Sequence, residues 1–324
     1  MTRIAVLDDW QGIAEAATDW APLRARAEVV FFREAFGNAD ALVAALAEFD
    51  AVAAMRERSL LDAAVLARLP RLRHIAFTGA RNAAVDTAAC TAQGISVSNT
   101  PATRSSHATA ELALGLLLSA ARNPARGDAE IRAGRFQERV APGTDLAGRI
   151  LGVIGLGRIG SRMASYGRAL GMEVLAWSPN LTEEHAAGFG AVRVEKEALL
   201  ERSDAITLHL VLGPRSRGVI GAAEIARMKP GAILVNTSRA GLVDTPALLA
   251  ALNAGRITAA IDVFDTEPLP PDAPIRGAPN TVLSPHLGYV TADNMQDFYR
   301  FIAENLLAWL DGAPIRLINP EGAA

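Results

Sequence analysis

Ile150-Leu-Gly-Val-Ile-Gly155-Leu-Gly157-Arg158-Ile159-Gly160 is the stretch that decides the fold. An apolar run of strand character leads straight into G-x-G-x-x-G, the pattern opens a helix over 161–170, and a second apolar run follows at 173–177. A glycine-rich turn alone carries little. Strand, turn, helix and strand in this order read as a dinucleotide-binding βαβ unit. Gly155 permits the tight turn. Gly157 lets the backbone approach a pyrophosphate at the positive end of the helix, and Gly160 lets helix and strand pack closely. Arg158 and Ile159, inside the turn, join the same candidate cofactor site.

Outward from this unit, short apolar runs alternate with helical patterns. Strands are expected at 150–154, 173–177, 192–194, 205–210, 232–236, 259–263 and 281–284, and upstream at 3–7, 28–32, 51–55, 72–77 and 95–98, where helical stretches at 40–49 and 60–69 intervene. Strands apolar on both faces and separated by helices mean parallel sheets covered on both sides. A turn-rich stretch at 99–106 leads to a helix at 107–122 that Asn123-Pro124 ends. That helix is apolar nearly all round, so it must be buried, and a homodimer is expected. A last helix, 292–310, is too short to be a domain and is expected to pack back on the first one. The expected fold class is α/β with two doubly wound parallel-sheet domains. A Rossmann cofactor domain, 100–288, is inserted into a flavodoxin-like substrate domain made of 1–99 and 289–324.

The chain has 324 residues, of which 50% are hydrophobic and 21% charged, so it has the composition of a globular protein with sizeable cores. A net charge of −3 gives no field that would gather nucleic acid or anionic lipid. Cys90 is the only cysteine, which rules out an internal disulfide and a cysteine-based metal cluster, and no metal is expected. The start of the chain lacks the apolar core of a secretory signal. The most apolar stretch, 112–121, is far short of the ~20 residues of a membrane span. A cytoplasmic protein is expected.

Three later segments carry polar residues at strand ends, where open α/β sheets bind ligands. They are Asn236-Thr237-Ser-Arg239, Asp262-Val-Phe-Asp-Thr-Glu267-Pro and Ser284-Pro-His286-Leu-Gly288-Tyr-Val-Thr291. With the glycine fingerprint, in this order and at these separations, they resemble the D-isomer-specific 2-hydroxyacid dehydrogenase family, a likeness that covers nearly the whole chain. The resemblance implies hydride transfer between a nicotinamide cofactor and 2-keto or 2-hydroxy acids. It makes Arg239, Glu267 and His286 the reacting set.

The residue types suit that chemistry. A guanidinium binds a carboxylate with two parallel hydrogen bonds, so Arg239 would fix a 2-keto acid's orientation. His286 would donate the proton to the carbonyl oxygen, or remove it in reverse. Glu267 would orient the imidazole and favour its charged form. Asp262 matches the family residue that contacts the nicotinamide amide, and Thr100 a residue near the hinge that touches the cofactor. Thr237 and Gly288 fall in the same cofactor set. Domain closure is expected, with hinges near 98–100 and 285–289.

Some positions depart from the family pattern. Val211 stands where proline is usual, Ser216 where threonine is common, and Ala240-Gly241 where glycine follows the arginine directly. Ser178 occupies the place of the acidic residue that holds the adenosine ribose. Without a carboxylate a 2′-phosphate is not repelled, yet no cation follows nearby in sequence to attract one. NAD and NADP both fit, with a lean to NAD. The loops at 77–82 and 55–59 are the expected substrate contacts, with Arg56, Gly79 and Ala80 as candidates, and Arg56, Arg58 and Arg81 available for a second anionic group. Backbone N–H groups of the 77–82 loop are expected to bind a carboxylate.

A lone histidine is more often structural than catalytic, so His74, His107, His185 and His209 are not assigned to chemistry; His209 is expected to bond backbone. Two other readings share the scaffold: a phosphite dehydrogenase-like oxidoreductase, and a nucleotide-sensing, corepressor-like binding protein. The absence of an added interaction segment argues against the second.

Overall fold

The computed structural model describes residues 1–101 and 104–320, so part of the turn-rich stretch at 99–106 and the last residues of the tail lie outside the described residues. The chain divides into two compact units. One comprises Met1–Arg104 and the segment from Val290 onward; the other is Ser105–Tyr289.

The first unit holds five strands: β1 (Thr2–Val6), β2 (Ala27–Phe31), β3 (Ala51–Ala54), β4 (His74–Phe77) and β5 (Ser96–Asn99). They form a parallel sheet in the order β2-β1-β3-β4-β5, the doubly wound flavodoxin-like order. Every residue of β3 and β4 is buried, as expected of strands covered on both faces. The register pairs Val6 with Ala53 and Ala54 with Phe77, which lines up the carboxyl ends of β1, β3 and β4. The final helix, Ala292–Leu310, is capped by Thr291 and returns to this unit, where Trp309 stacks on His74 at 5.4 Å. The expected helix at 60–69 is only Ala63–Leu66. Leu61 is drawn into a parallel bridge with Val85, and Asp62 then caps the helix by accepting from the Val65 N–H.

The second unit holds seven parallel strands: β6 (Ile150–Ile154), β7 (Glu173–Trp177), β8 (Val192–Arg193), β9 (Ala205–Leu208), β10 (Ile233–Asn236), β11 (Thr258–Ile261) and β12 (Thr281–Leu283). Their order, β12-β11-β10-β9-β6-β7-β8, is the Rossmann order with one strand added. Several strands stop one or two residues before the sequence reading, because those residues leave the ladder to build the loops above the carboxyl edge.

The helix Ser105–Arg122 is not buried all round. Ala113, Leu116, Leu117 and Ala121 enter the core, while Leu112, Leu114 and Leu118 are half-buried. Asn123 stops it in a left-handed conformation (φ 52°), and Pro124 starts a second helix, Pro124–Arg132. Pro124-x-x-x is thus a beginning as well as an end, since proline is favoured at the first helical position. Among the described residues no helix is long and apolar enough to cross a membrane.

Candidate active site

The glycine-rich loop has the geometry its sequence requires. Gly155 has φ 97°, and a Cβ there would lie 2.7 Å from the carbonyl carbon of His209. At Gly160 a Cβ would lie 2.0 Å from the Gly155 carbonyl oxygen, so only glycine lets the helix Gly160–Ala169 start this close to β6. Gly157 differs: nothing lies within 4 Å of its would-be Cβ, and it faces open space. No side chain caps the helix at Ile159. A bare helix N-terminus behind an open glycine is a fitting cradle for a pyrophosphate. The exposed Arg158 stands at its rim.

Arg239 follows β10. Asn236 shapes the turn: its Oδ1 accepts the Ser238 N–H at 3.0 Å, its Nδ2 donates to the Arg239 carbonyl at 2.9 Å, and the Ser238 hydroxyl donates to the Leu208 carbonyl. Arg239 is extended (φ −147°) and half-buried, with Nη1 donating to the Ser238 carbonyl. Thr237 is buried beside it, and its hydroxyl takes no hydrogen bond.

Glu267 and His286 come from the loops after β11 and β12, which are neighbours in the sheet. His286 Nδ1 lies 2.5 Å from Glu267 Oε2, while Glu267 Oε1 accepts the Phe264 N–H at 2.8 Å. With Nδ1 engaged, Nε2 is the ring atom left to exchange a proton. His286 itself is left-handed (φ 55°), a conformation that must be imposed on a residue with a side chain. Asp262 imposes it. Oδ1 accepts the Leu287 N–H at 2.8 Å and the Ser284 hydroxyl at 2.6 Å, and Oδ2 accepts the Gly288 N–H at 2.9 Å. Asp262 is fully buried, which pushes its carboxyl above the ordinary range; these bonds and nearby His286 pull the other way. Thr109, on the helix Ser105–Arg122, donates to the Gly288 carbonyl and closes the turn from the other side. Asp262, expected at the nicotinamide amide, therefore has both oxygens engaged in holding the histidine turn.

The remaining candidates of this unit sit as follows. Ser216 folds its own loop, accepting the Gly213 N–H and donating to the Val211 carbonyl, while the Val211 side chain is exposed. Ser178 is half-buried just past β7. A cation does lie by this turn in space: Ala176 pairs with Arg193 on β8, and the Arg193 guanidinium donates to the Leu181 carbonyl and to Glu195. Strand pairing brings it there, which is why nearby sequence did not show it.

In the first unit, Arg56 is left-handed (φ 51°), its N–H donating to the Thr78 hydroxyl and its carbonyl accepting from Asn82 Nδ2 at 2.5 Å. Gly79 has φ 95°, and a Cβ there would lie 2.0 Å from Arg56 Nη1. The Gly79 N–H already donates to the Thr100 hydroxyl at 2.7 Å, so this amide does not serve as a spare carboxylate donor, and Thr100 is fixed within the first unit. Ala80 is exposed, with its carbonyl accepting from Asn99. The Arg58 guanidinium is engaged by the Asp8 carbonyl and the face of Trp10, while Arg81 is exposed.

The four other histidines have structural settings. His74 Nδ1 pairs with the Ser96 hydroxyl, and burial pushes the ring down to about 3. His107 pairs with Arg162, and His185 Nε2 reaches the Leu156 carbonyl. His209 does not bond backbone as expected: its Nε2 pairs with the Thr207 hydroxyl at 2.8 Å, and desolvation pushes it down to about 3. The shaping residues that the sequence reading missed are Asn236, Ser284 and Thr109. The first two lie within the quoted motifs, and short polar side chains beside turns are frequent backbone partners.

Residues 114–288 match the family model described as D-isomer specific 2-hydroxyacid dehydrogenase, NAD binding domain. The chain is 40% identical over 84% of its length to a D-3-phosphoglycerate dehydrogenase from Mycobacterium leprae, of which it covers 51%. It is 38% identical to a glyoxylate reductase from Aeropyrum pernix, with 81% of this chain and 80% of that one covered. The crystal structure of a phosphoglycerate oxidoreductase from Vibrio cholerae superposes with a TM-score of 0.92 at 32% identity, covering 97% of this chain and 100% of that one. The chain spans about half the length of the D-3-phosphoglycerate dehydrogenases it matches. By this match and these likenesses the chain belongs to the D-isomer specific 2-hydroxyacid dehydrogenase family.

Proposed function

We propose that the chain interconverts 2-keto acids and D-2-hydroxy acids by hydride transfer with a nicotinamide dinucleotide. The observation that carries this reading is the Glu267–His286 pair on neighbouring strand ends, in the same sheet edge as Arg239 and the glycine cradle. The cradle fits such a cofactor: Gly157 is open, the helix behind it is uncapped, and the buried Thr237 hydroxyl is unpartnered. When bound, the reduced nicotinamide supplies the hydride.

The chain's own residues do the rest. Arg239 holds the substrate carboxylate in a two-bonded grip, which turns one face of the carbonyl to the donor. His286, protonated, gives a proton from Nε2 to the carbonyl oxygen as negative charge develops there. Glu267 keeps the ring oriented through Nδ1 and balances the imidazolium charge. In the oxidative direction the neutral ring takes the hydroxyl proton. Arg56 is the candidate for a second anionic group on the substrate.

NAD is the preferred cofactor in this reading. Ser178 offers a neutral hydroxyl, and Arg193, the cation beside that turn, is already held by Glu195 and the Leu181 carbonyl. A homodimer belongs to the same reading, supported by the half-buried leucines of Ser105–Arg122 and by exposed Ile131 and Phe136.

The test is to mix purified protein with NADH or NADPH and glyoxylate, hydroxypyruvate or pyruvate, and to follow cofactor oxidation. Turnover of at least one acid is expected, with the lower KM for NADH. Tight cofactor binding without turnover of any acid would favour a sensor instead.

A further inference from the structure

In the first unit the strand order reverses between β1 and β3, and the carboxyl ends of these strands are therefore a topological switch point, where open α/β sheets take ligands. Three adjacent strand ends carry left-handed residues there: Asp8 (φ 59°), Arg56 (φ 51°) and Gly79 (φ 95°). Such a conformation persists in a residue with a side chain only where its surroundings impose it. For Arg56 these are Thr78, Asn82 and bare Gly79. For Asp8 they belong to the turn that carries Arg56. The Asp8 carbonyl accepts from Arg58 Nη1 at 2.5 Å, and its Oδ1 accepts the Ser59 hydroxyl at 3.1 Å. The Arg58 guanidinium lies 4.2 Å from the centroid of the Trp10 ring, two residues beyond Asp8.

Asp8 is 1% exposed, and the second oxygen of its carboxyl, Oδ2, is buried without a hydrogen bond. Burial pushes this carboxyl up to about 6, against the pull of Ser59 and Arg58. The other charged groups of the neighbourhood are Asp9, whose Oδ1 accepts the N–H groups of Ile13 and Ala14, and Glu57, 3.7 Å from the Arg56 guanidinium. Arg33 lies 4.0 Å from Asp9.

We propose that Asp8 is a specificity-determining positioning residue: through Arg58 and Ser59 it sets the turn that presents Arg56, and its ionisation weakens the hold on substrates with a second anionic group. With Asp8 neutral, the turn carries the guanidinium groups of Arg56 and Arg58 beside the Glu57 carboxylate. Ionised, it adds a like charge opposite the incoming anion. Glyoxylate, which has no second group, is nearly indifferent. This rests on the reading of the chain as a 2-keto acid reductase with Arg56 in the substrate site.

The experiment has two arms. The first compares kcat/KM for 2-oxoglutarate with that for glyoxylate across pH; the ratio cancels effects common to both acids. A fall of about tenfold between about pH 5 and about pH 7.5 is expected, carried by KM and not by kcat. Asp8→Asn should flatten the ratio. Ser59→Ala should shift its midpoint upward, because it removes a bond that favours the carboxylate. The second arm labels the chain with 5-fluorotryptophan and follows the Trp10 resonance, assigned with Trp10→Phe. It should titrate near 6 and stop titrating in Asp8→Asn. A Trp10 signal that does not titrate overturns the proposal whatever the substrate. A titrating signal with a flat ratio overturns the specificity role and leaves the reductase reading intact. A titrating signal with no acid reduced means that the reductase reading has failed, and the specificity role fails with it.

Discussion

His286 Nδ1 lies 2.5 Å from Glu267 Oε2, and the other oxygen of the same carboxylate takes the Phe264 N–H. The glutamate is thus fixed by its own loop before it fixes the imidazole. Glu267→Gln keeps the shape and removes the charge. It should lower kcat by about 10²–10⁴-fold, the usual scale of a general acid's contribution. The dissociation constant of NADH, measured by fluorescence, should change little. A comparable loss in both would mean that Glu267 supports the cofactor site instead.

Arg239 makes a different prediction. Arg239→Ala should lose substrate recognition by at least about 100-fold in kcat/KM while NADH binding holds. Arg239→Lys should recover only part of it, since an ammonium cannot make the paired bonds of a guanidinium. Full recovery by lysine would mean that charge alone suffices and that Arg239 does not orient the carboxylate.

Asp262 carries the histidine turn, so Asp262→Ala leaves the Leu287 and Gly288 N–H groups without their acceptor. Each lost partner of a buried group costs about 1–3 kcal/mol. A drop in unfolding free energy of about 2–4 kcal/mol is expected, with kcat falling more than the KM for NADH rises. Ser284→Ala, which removes one donor and keeps both N–H bonds, should be milder in both respects.

Asp8 links pH to stability. Its carboxyl is raised in the folded state, to about 6 from 3.8, so folding favours the protonated form. The benefit is complete below the unfolded value and is lost as pH rises through the folded one. Asp8→Asn stays neutral, so it should be more stable than the parent above about pH 7, by about 3 kcal/mol, and nearly equal to it near pH 4. Urea titrations at the two pH values check this. A difference that does not depend on pH would show that Asp8 is not raised.

Much of this was legible in the sequence because its signals are local. The glycine fingerprint needs only strand, turn and helix in succession, and Gly155, Gly157 and Gly160 each occupy a different space in the structure. Glu267 and His286 lie within short motifs whose strands turn out to be neighbours. What escaped depends on pairing between distant segments. Arg193 reaches the Ser178 turn only because β8 pairs with β7. Asp8 meets Arg58 and Ser59 only because β1 lies beside β3. The Gly79 N–H is engaged because Thr100, at the end of β5, lies over the end of β4. Helix limits also shifted where a cap or a bridge outweighed periodicity, as at Leu61-Asp62.

The most direct test is a single-turnover measurement of NADH oxidation by glyoxylate and hydroxypyruvate with the parent chain, Glu267→Gln and His286→Asn side by side. The account predicts rapid oxidation of NADH by the parent with at least one acid and a large loss in both variants, with NADH still bound. Equal rates in the parent and the His286 variant, or no oxidation with either acid, would contradict it.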